Sequence, residues 1–159
     1  MSTPPLRALE AIWAERMPIT TAMAMATVPG DAALLSVRLP LAPNRNHKGT
    51  VFAGSLSALA TLTGWSALWL MARDAGLNPH IILQDASIRY LRPARSDVVA
   101  ACPVPDAAIR ERLLDVYRRR GRVRTTLAVS ICDTDGDEVA TFEGRYVVHR
   151  LDVFSDDSG

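Results

Sequence analysis

The chain has 159 residues, 48% of them hydrophobic and 22% charged, with 18 basic side chains against 17 acidic ones. That length suits one compact domain, and the apolar share excludes a disordered or disulfide-dependent class. A net charge of +1 supplies no global field to recruit nucleic acid or an anionic membrane, so neither is an expected partner.

In chain order, Leu6, Leu9, Ile12 and Trp13 recur at three- and four-residue steps and predict a helix over Pro4–Met17, ended by Pro18. Thr21–Thr27 and Ala32–Leu39 read as strands split by a turn at Pro29-Gly30-Asp31. Pro40–Thr50 is a polar loop running into Val51–Ala72, 22 residues without a charge. That run is long enough to cross a bilayer, but Gly54, Ser55, Ser57, Thr61, Thr63, Gly64 and Ser66 interrupt it. A helix apolar almost all round is also the buried central helix of a globular domain, and that is the expectation. Ser55 is its expected N-terminal cap and Arg73–Gly76 its stop.

Strands follow over Ile81–Tyr90 and Val98–Val104, then a helix over Asp106–Arg119 with Gly121 just past its end. The alternation from Val123 to Ile131 and the run Val139–Leu151 predict two strands joined by the Asp133–Asp137 turn. Strands bunched around one apolar helix give an α+β class, with an antiparallel sheet wrapping that helix. Residues 1–151 form the expected single domain, and 152–159 an expected flexible tail.

Cys102 and Cys132 lie in apolar strands and read as buried free thiols. His47, His80 and His149 are scattered, so no metal is expected. The Asp133-x-Asp135-Gly136 segment lacks the glutamate a calcium loop needs at its twelfth position, which is Gly144. No phosphate-binding glycine loop or serine elbow is present, and no cofactor is expected. The start of the chain shows no basic segment followed by an apolar core, so a cytoplasmic location is expected.

Asn46-His47-Lys48-Gly49-Thr50-Val51-Phe52-Ala53-Gly54-Ser55-Leu56 is the most informative stretch. A glycine-bearing loop entering a buried helix leaves N–H groups near Ala53 and Gly54 without intrahelical partners, where they can stabilise developing negative charge. Asn46 either orients a water or carbonyl there, or shapes the turn together with Gly49. Asp85 stands in an otherwise apolar strand, where a carboxylate is costly unless hydrogen-bonded or functional. It is either a partly desolvated general base or a structural carboxylate paired with Arg89 or a backbone donor. Ser57 and Thr61 lie one helical turn apart and could face a pocket, as could Trp65 and Trp69. Arg89, Arg92 and Arg95 are either solvated or hold the phosphates of a ligand. The run Arg118-Arg119-Arg120-Gly121-Arg122 reads chiefly as favourable charge at a helix C-terminus, with docking of a phosphate-bearing partner second.

The Asn46–Leu56 segment resembles the active-site loop of hotdog-fold thioesterases, and Tyr90-Leu91-Arg92-Pro93-Ala94 resembles the Tyr-x-x-Pro-Ala strand end of that superfamily. With Thr61-Leu62-Thr63-Gly64-Trp65, the likeness is to the thioesterase family typified by the C-terminal domain of YiiD-type acetyltransferases, and it runs to about His149. The resemblance implies a hotdog fold and a homodimer or dimer of dimers that hydrolyses acyl-CoA or acyl-carrier-protein thioesters. It implies catalytic roles for Asn46, Gly54, Asp85 and Thr61, and substrate binding by Ala53, Ser57, Arg89, Arg92 and Arg95. Thr61 stands where related enzymes carry an acidic residue on the central helix, and Phe52 where some carry a histidine. Threonine is no general base near neutral pH, so the carboxylate is expected from Asp85. Non-hydrolytic acyl-thioester binding and, further off, dehydration of an acyl thioester are the alternatives.

Overall fold

The computed structural model describes residues 3–150, so the expected tail over 152–159 lies outside the described residues. Helix α1 (Pro4–Arg16) is followed by the one-turn helix α2 (Ile19–Ala22), strands β1 (Ala26–Val28) and β2 (Leu34–Leu39), and the one-turn helix α3 (Leu41–Asn44). The long helix α4 (Ala53–Asp74) precedes β3 (His80–Tyr90), β4 (Val98–Pro103), α5 (Ala107–Arg120), β5 (Arg122–Asp133) and β6 (Glu138–His149). The strands form one antiparallel sheet in the order β1-β2-β4-β5-β6-β3. Helix α4 packs against β2, β3, β4, β5 and β6, so the sheet curves around it as expected.

The uncharged run is this helix, and its small and polar residues have packing reasons. Ser66 Oγ accepts the indole N–H of buried Trp13 at 3.1 Å, tying α1 to α4. Thr63 returns its hydroxyl to the Leu59 carbonyl at 2.7 Å. Gly64 leaves a notch for Tyr146: a Cβ there would stand 2.4 Å from the phenol oxygen, which donates to the Thr61 carbonyl at 2.8 Å. Burial first, and nearby Cys102 second, hold the Tyr146 phenol well above its ordinary range, so it remains a donor. Leu59, Ala60, Ala67 and Leu68 are fully buried, each large side chain contributing about 1.5–3 kcal/mol of burial energy.

Four expectations are corrected. Thr21–Thr27 is not one strand: Pro18 opens α2, and Ala24 at φ 53° turns the chain before the three residues of β1. The loop Pro40–Thr50 contains α3, fixed by Asn44, whose amide donates to the Met23 and Pro40 carbonyls. The N-cap of α4 is Phe52 rather than Ser55, because Phe52 N–H donates to Asn44 O at 2.7 Å and Val51 N–H to Ala94 O at 2.9 Å, holding the chain extended up to Phe52. Of the two thiols Cys102 is buried, its pKa pushed up to about 12 by desolvation, whereas Cys132 is only half-buried. The turn at Asp133–Asp137 forms as expected, Asp133 Oδ1 accepting the Asp135 and Asp137 N–H groups. Asp106 and Gly121 bound α5 as expected, the latter at φ 71°.

Candidate active site

The loop before α4 is closed by backbone and side chain together. Arg45 and Val51 form an isolated bridge, Asn46 N–H donates to Thr50 O at 2.7 Å, and Gly49 takes the left-handed φ of 75° the turn requires. Asn46 Oδ1 accepts the N–H groups of Lys48 (2.8 Å) and Thr50 (3.3 Å), while its Nδ2 donates to Thr50 Oγ1 at 2.9 Å. Of the two roles weighed for Asn46, the turn-shaping one is therefore present. One hydrogen of its two-hydrogen amide is left to aim at a ligand. Upstream, the Asp97 carboxylate accepts the Leu41 N–H at 2.9 Å and pairs with Arg38, and these contacts, in that order, hold its pKa below the usual value.

Helix α4 then begins without a side-chain cap. Ser55 and Leu56 both donate to the Phe52 carbonyl, so the N–H groups of Ala53 and Gly54 have no partner among the described residues. Both residues are exposed. The absence of a Cβ at Gly54 lets the Phe52 ring lie across it, since a Cβ would sit 2.3 Å from that ring. Facing this first turn is the end of β3, where the Tyr90 hydroxyl donates to the Ala53 carbonyl at 3.1 Å. Asn46, Ala53, Leu56, Tyr90, Arg92 and Pro93 share one open groove of about 330 Å³. Its lining holds no carboxylate.

The structure brings Asn46, Ala53 and Arg92 together here, with Gly54 next to Ala53 on the first turn, and leaves the other named residues elsewhere. Ser57 and Thr61 follow one and two turns along α4, both half-buried, in a stripe continued by Trp65 and Trp69. Eight residues separate Thr61 from Ala53, about 12 Å of helix. Trp65 donates to the Ile81 carbonyl and stacks on Trp69, at 6.5 Å between rings. Arg92 is ion-paired with Asp137 at 2.5 Å, whereas Arg89 and Arg95 are exposed.

Asp85 departs furthest from expectation. It is exposed, and no ion pair with Arg89 forms. The cause is a bulge between Leu83 and Asp85, which makes Gln84 an extra residue against β6. Leu83 pairs with buried Tyr146, but Asp85 pairs with exposed Arg145 and so lies on the outer face of the sheet. Five residues of strand separate it from Tyr90, roughly 17 Å. Asp85 therefore cannot reach its own chain's helix start. Strand β3 is an outermost strand of the sheet, and among the described residues no strand pairs with its other side; Ile82 and Tyr90 on it are nearly half exposed. Sequence reasoning treated Tyr90 only as part of a motif; the clue available was a phenol at the strand end nearest the Asn46 loop.

Comparison with known proteins places this architecture. Residues 6–150 match the family described as "Putative thioesterase (yiiD_Cterm)". The fold is similar to that of a "putative thioesterase" from Shewanella oneidensis, 35% identical, with 91% of this chain and 97% of that one covered and a TM-score of 0.82. It is also similar to a "probable thioesterase" from Pseudomonas aeruginosa, 25% identical over 94% of this chain and 97% of that one, at a TM-score of 0.79. A thioesterase from Haemophilus influenzae, 14% identical over 96% of each chain, shares the fold at a TM-score of 0.72.

Proposed function

Because the chain belongs to this thioesterase family and has its hotdog fold, we propose that it hydrolyses acyl thioesters at the open first turn of α4. The observation that carries the reading is the pair of unpartnered N–H groups, Ala53 and Gly54, with Ala53 beside Asn46 in one groove. A thioester carbonyl oxygen seated on either N–H is polarised by the hydrogen bond and by the positive end of the helix. As hydroxide adds to the carbonyl carbon, the oxygen becomes an oxyanion in that same position. The free Asn46 N–H positions the attacking water or the carbonyl.

The base is Asp85 of a second copy. An outermost strand exposing Ile82 and Tyr90 supports a dimer formed along β3, and Asp85, which cannot reach its own helix start, acts there where the second copy apposes it to the first turn of α4. Asp85 takes a proton from water and returns it to the departing thiolate, leaving a carboxylic acid and a free thiol. Thr61 and Ser57 line the acyl path with hydroxyls, and Arg89, Arg92 and Arg95 rim the way in for the pantetheine arm, facing the phosphodiester of a carrier protein's phosphopantetheine, Arg92 exchanging Asp137 for phosphate. A cytoplasmic enzyme acting on intracellular acyl thioesters follows from this reading.

The test is thiol release from a panel of acyl-CoA and acyl-carrier substrates. Asp85→Asn should lower kcat by about 10²–10⁴-fold, and Asn46→Ala by about 10²-fold through misplacement of the loop. Full activity in both variants would reject the assignment. A second reading, binding without turnover, draws on the groove's having no carboxylate of its own. Tight acyl-thioester binding with no thiol released by the wild type would establish it.

A further inference from the structure

Strand β4 pairs with β5 only over Val98–Ala101, and beyond that point α5 lies beside β5 in its place. Between α5 and the outer face of the sheet runs a shallow groove of about 510 Å³, remote from the Asn46 loop. Three arginines from three different elements line it: Arg112 on α5, Arg124 on β5 and Arg145 on β6. The sheet register accounts for two of them. Arg145 stands directly opposite Thr126, and Arg124 lies two residues before Thr126 on the same exposed face, so the two guanidinium groups are diagonal neighbours. Arg112 reaches the groove from the helix, one position before buried Leu113.

Like charges so placed repel, and proteins ordinarily interleave carboxylates among them. Among the described residues, none of the three forms an ion pair, whereas Arg38, Arg92, Arg110 and Arg119 each hold an aspartate. The acidic groups around the groove are Asp85 opposite Arg145, Glu143 two residues before it, and Glu111 beside Arg112; none bonds the three guanidinium groups. Thr125 and Thr126 add hydroxyls, and Ile109 with Leu113 supplies an apolar wall. Planar forks from three directions, two hydroxyls and an apolar side match clustered phosphate groups on a body with an apolar face.

We infer that this groove binds a phosphate-rich nucleotide, and that the 3′-phospho-ADP half of coenzyme A is the ligand it fits. Only the identification with coenzyme A rests on the thioesterase reading; the anion site stands on its own geometry. The same chemistry could be met by a free nucleotide, and the experiment separates the two.

Titration calorimetry of adenosine 3′,5′-bisphosphate and of pyrophosphate into the full chain should show saturable binding that weakens with salt. Replacing each of Arg112, Arg124 and Arg145 by Gln should weaken binding on the order of tenfold per position, and the triple variant should abolish it. All three side chains are exposed or at the groove surface, and an unchanged melting temperature will verify folding. In parallel, kcat/KM is measured for an acyl-CoA and for the same acyl group on N-acetylcysteamine, which lacks the nucleotide. A fall in the ratio of the two in the variants assigns the groove to the substrate's own nucleotide. Nucleotide binding lost with the ratio unmoved assigns it to a free nucleotide. Wild-type protein that binds neither probe, or a triple variant that binds both as well as wild type, overturns the inference. Absence of hydrolysis in the wild type with binding intact would fell the thioesterase reading and leave the anion site standing.

Discussion

Helix α5 opens on Asp106, whose Oδ1 accepts the Ile109 N–H at 2.8 Å, whereas α4 opens on Phe52, which offers no side-chain acceptor at all. The amphipathic α5 holds only part of its surface against the sheet, so a cap matters to it, at about 1 kcal/mol. The 22-residue α4 has ten buried residues and is held from its sides by five strands. It can forgo the cap, and the donors at its start are left for something other than folding. The contrast separates two jobs that helix termini usually combine: ending the helix well and presenting charge.

Substitutions can break that contrast. Leu59→Ala, in the fully buried flank of α4, should cost about 2–5 kcal/mol in urea unfolding, because the cavity lies where the helix is held. Ala53→Pro should leave stability nearly unchanged. Proline is favoured at the first helical position, and Phe52 at φ −64°, ψ 134° already has the extended conformation that proline demands of its predecessor. It deletes the Ala53 N–H, so kcat should fall by about 10²–10³-fold if that group holds the oxyanion. An unaffected kcat would assign the role to Gly54. The smallest effects come from exchanging the caps: Asp106→Ala should destabilise by about 1 kcal/mol, and Phe52→Asp should stabilise by a similar amount. The installed carboxylate would compete for the same N–H groups, so thiol release should drop while the melting temperature rises. A Phe52→Asp variant that gained stability and kept full turnover would show that the first turn of α4 does not meet substrate.

Much of this was legible in the residues. Proline and glycine marked the ends of α1, α4 and α5, and Asp133–Asp137 announced its turn, because these signals act over one or two residues. The helix-wrapped sheet followed from one uncharged run among strands. What escaped depends on contacts distant in sequence. Thr20 is buried, and the segment after Pro18 turns through α2 although its threonines favour a strand. Ser55 loses the cap position because Asn44 and Ala94 hold the chain ahead of α4. For the site, the Asn46–Gly54 stretch stood out, but the arginine groove did not. Arg112, Arg124 and Arg145 are spread over 34 positions and meet only once β5 pairs with β6 and α5 packs beside β5.

The extra residue at Gln84 acts on β3 as a half-period slip acts on a wave. Ahead of it the odd positions Ile81 and Leu83 turn toward α4, and after it the even positions Ala86, Ile88 and Tyr90 do. The strand is thus two short strands in opposite phase, spliced end to end. Pairing Gln84 regularly with Arg145, instead of bulging it out, would send Asp85, Ser87 and Arg89 into the interior and swing the Tyr90 phenol away from α4. The charge of the strand's outer face and the hydroxyl at the helix start are therefore set together by one bulge, the way the ladder accommodates Gln84.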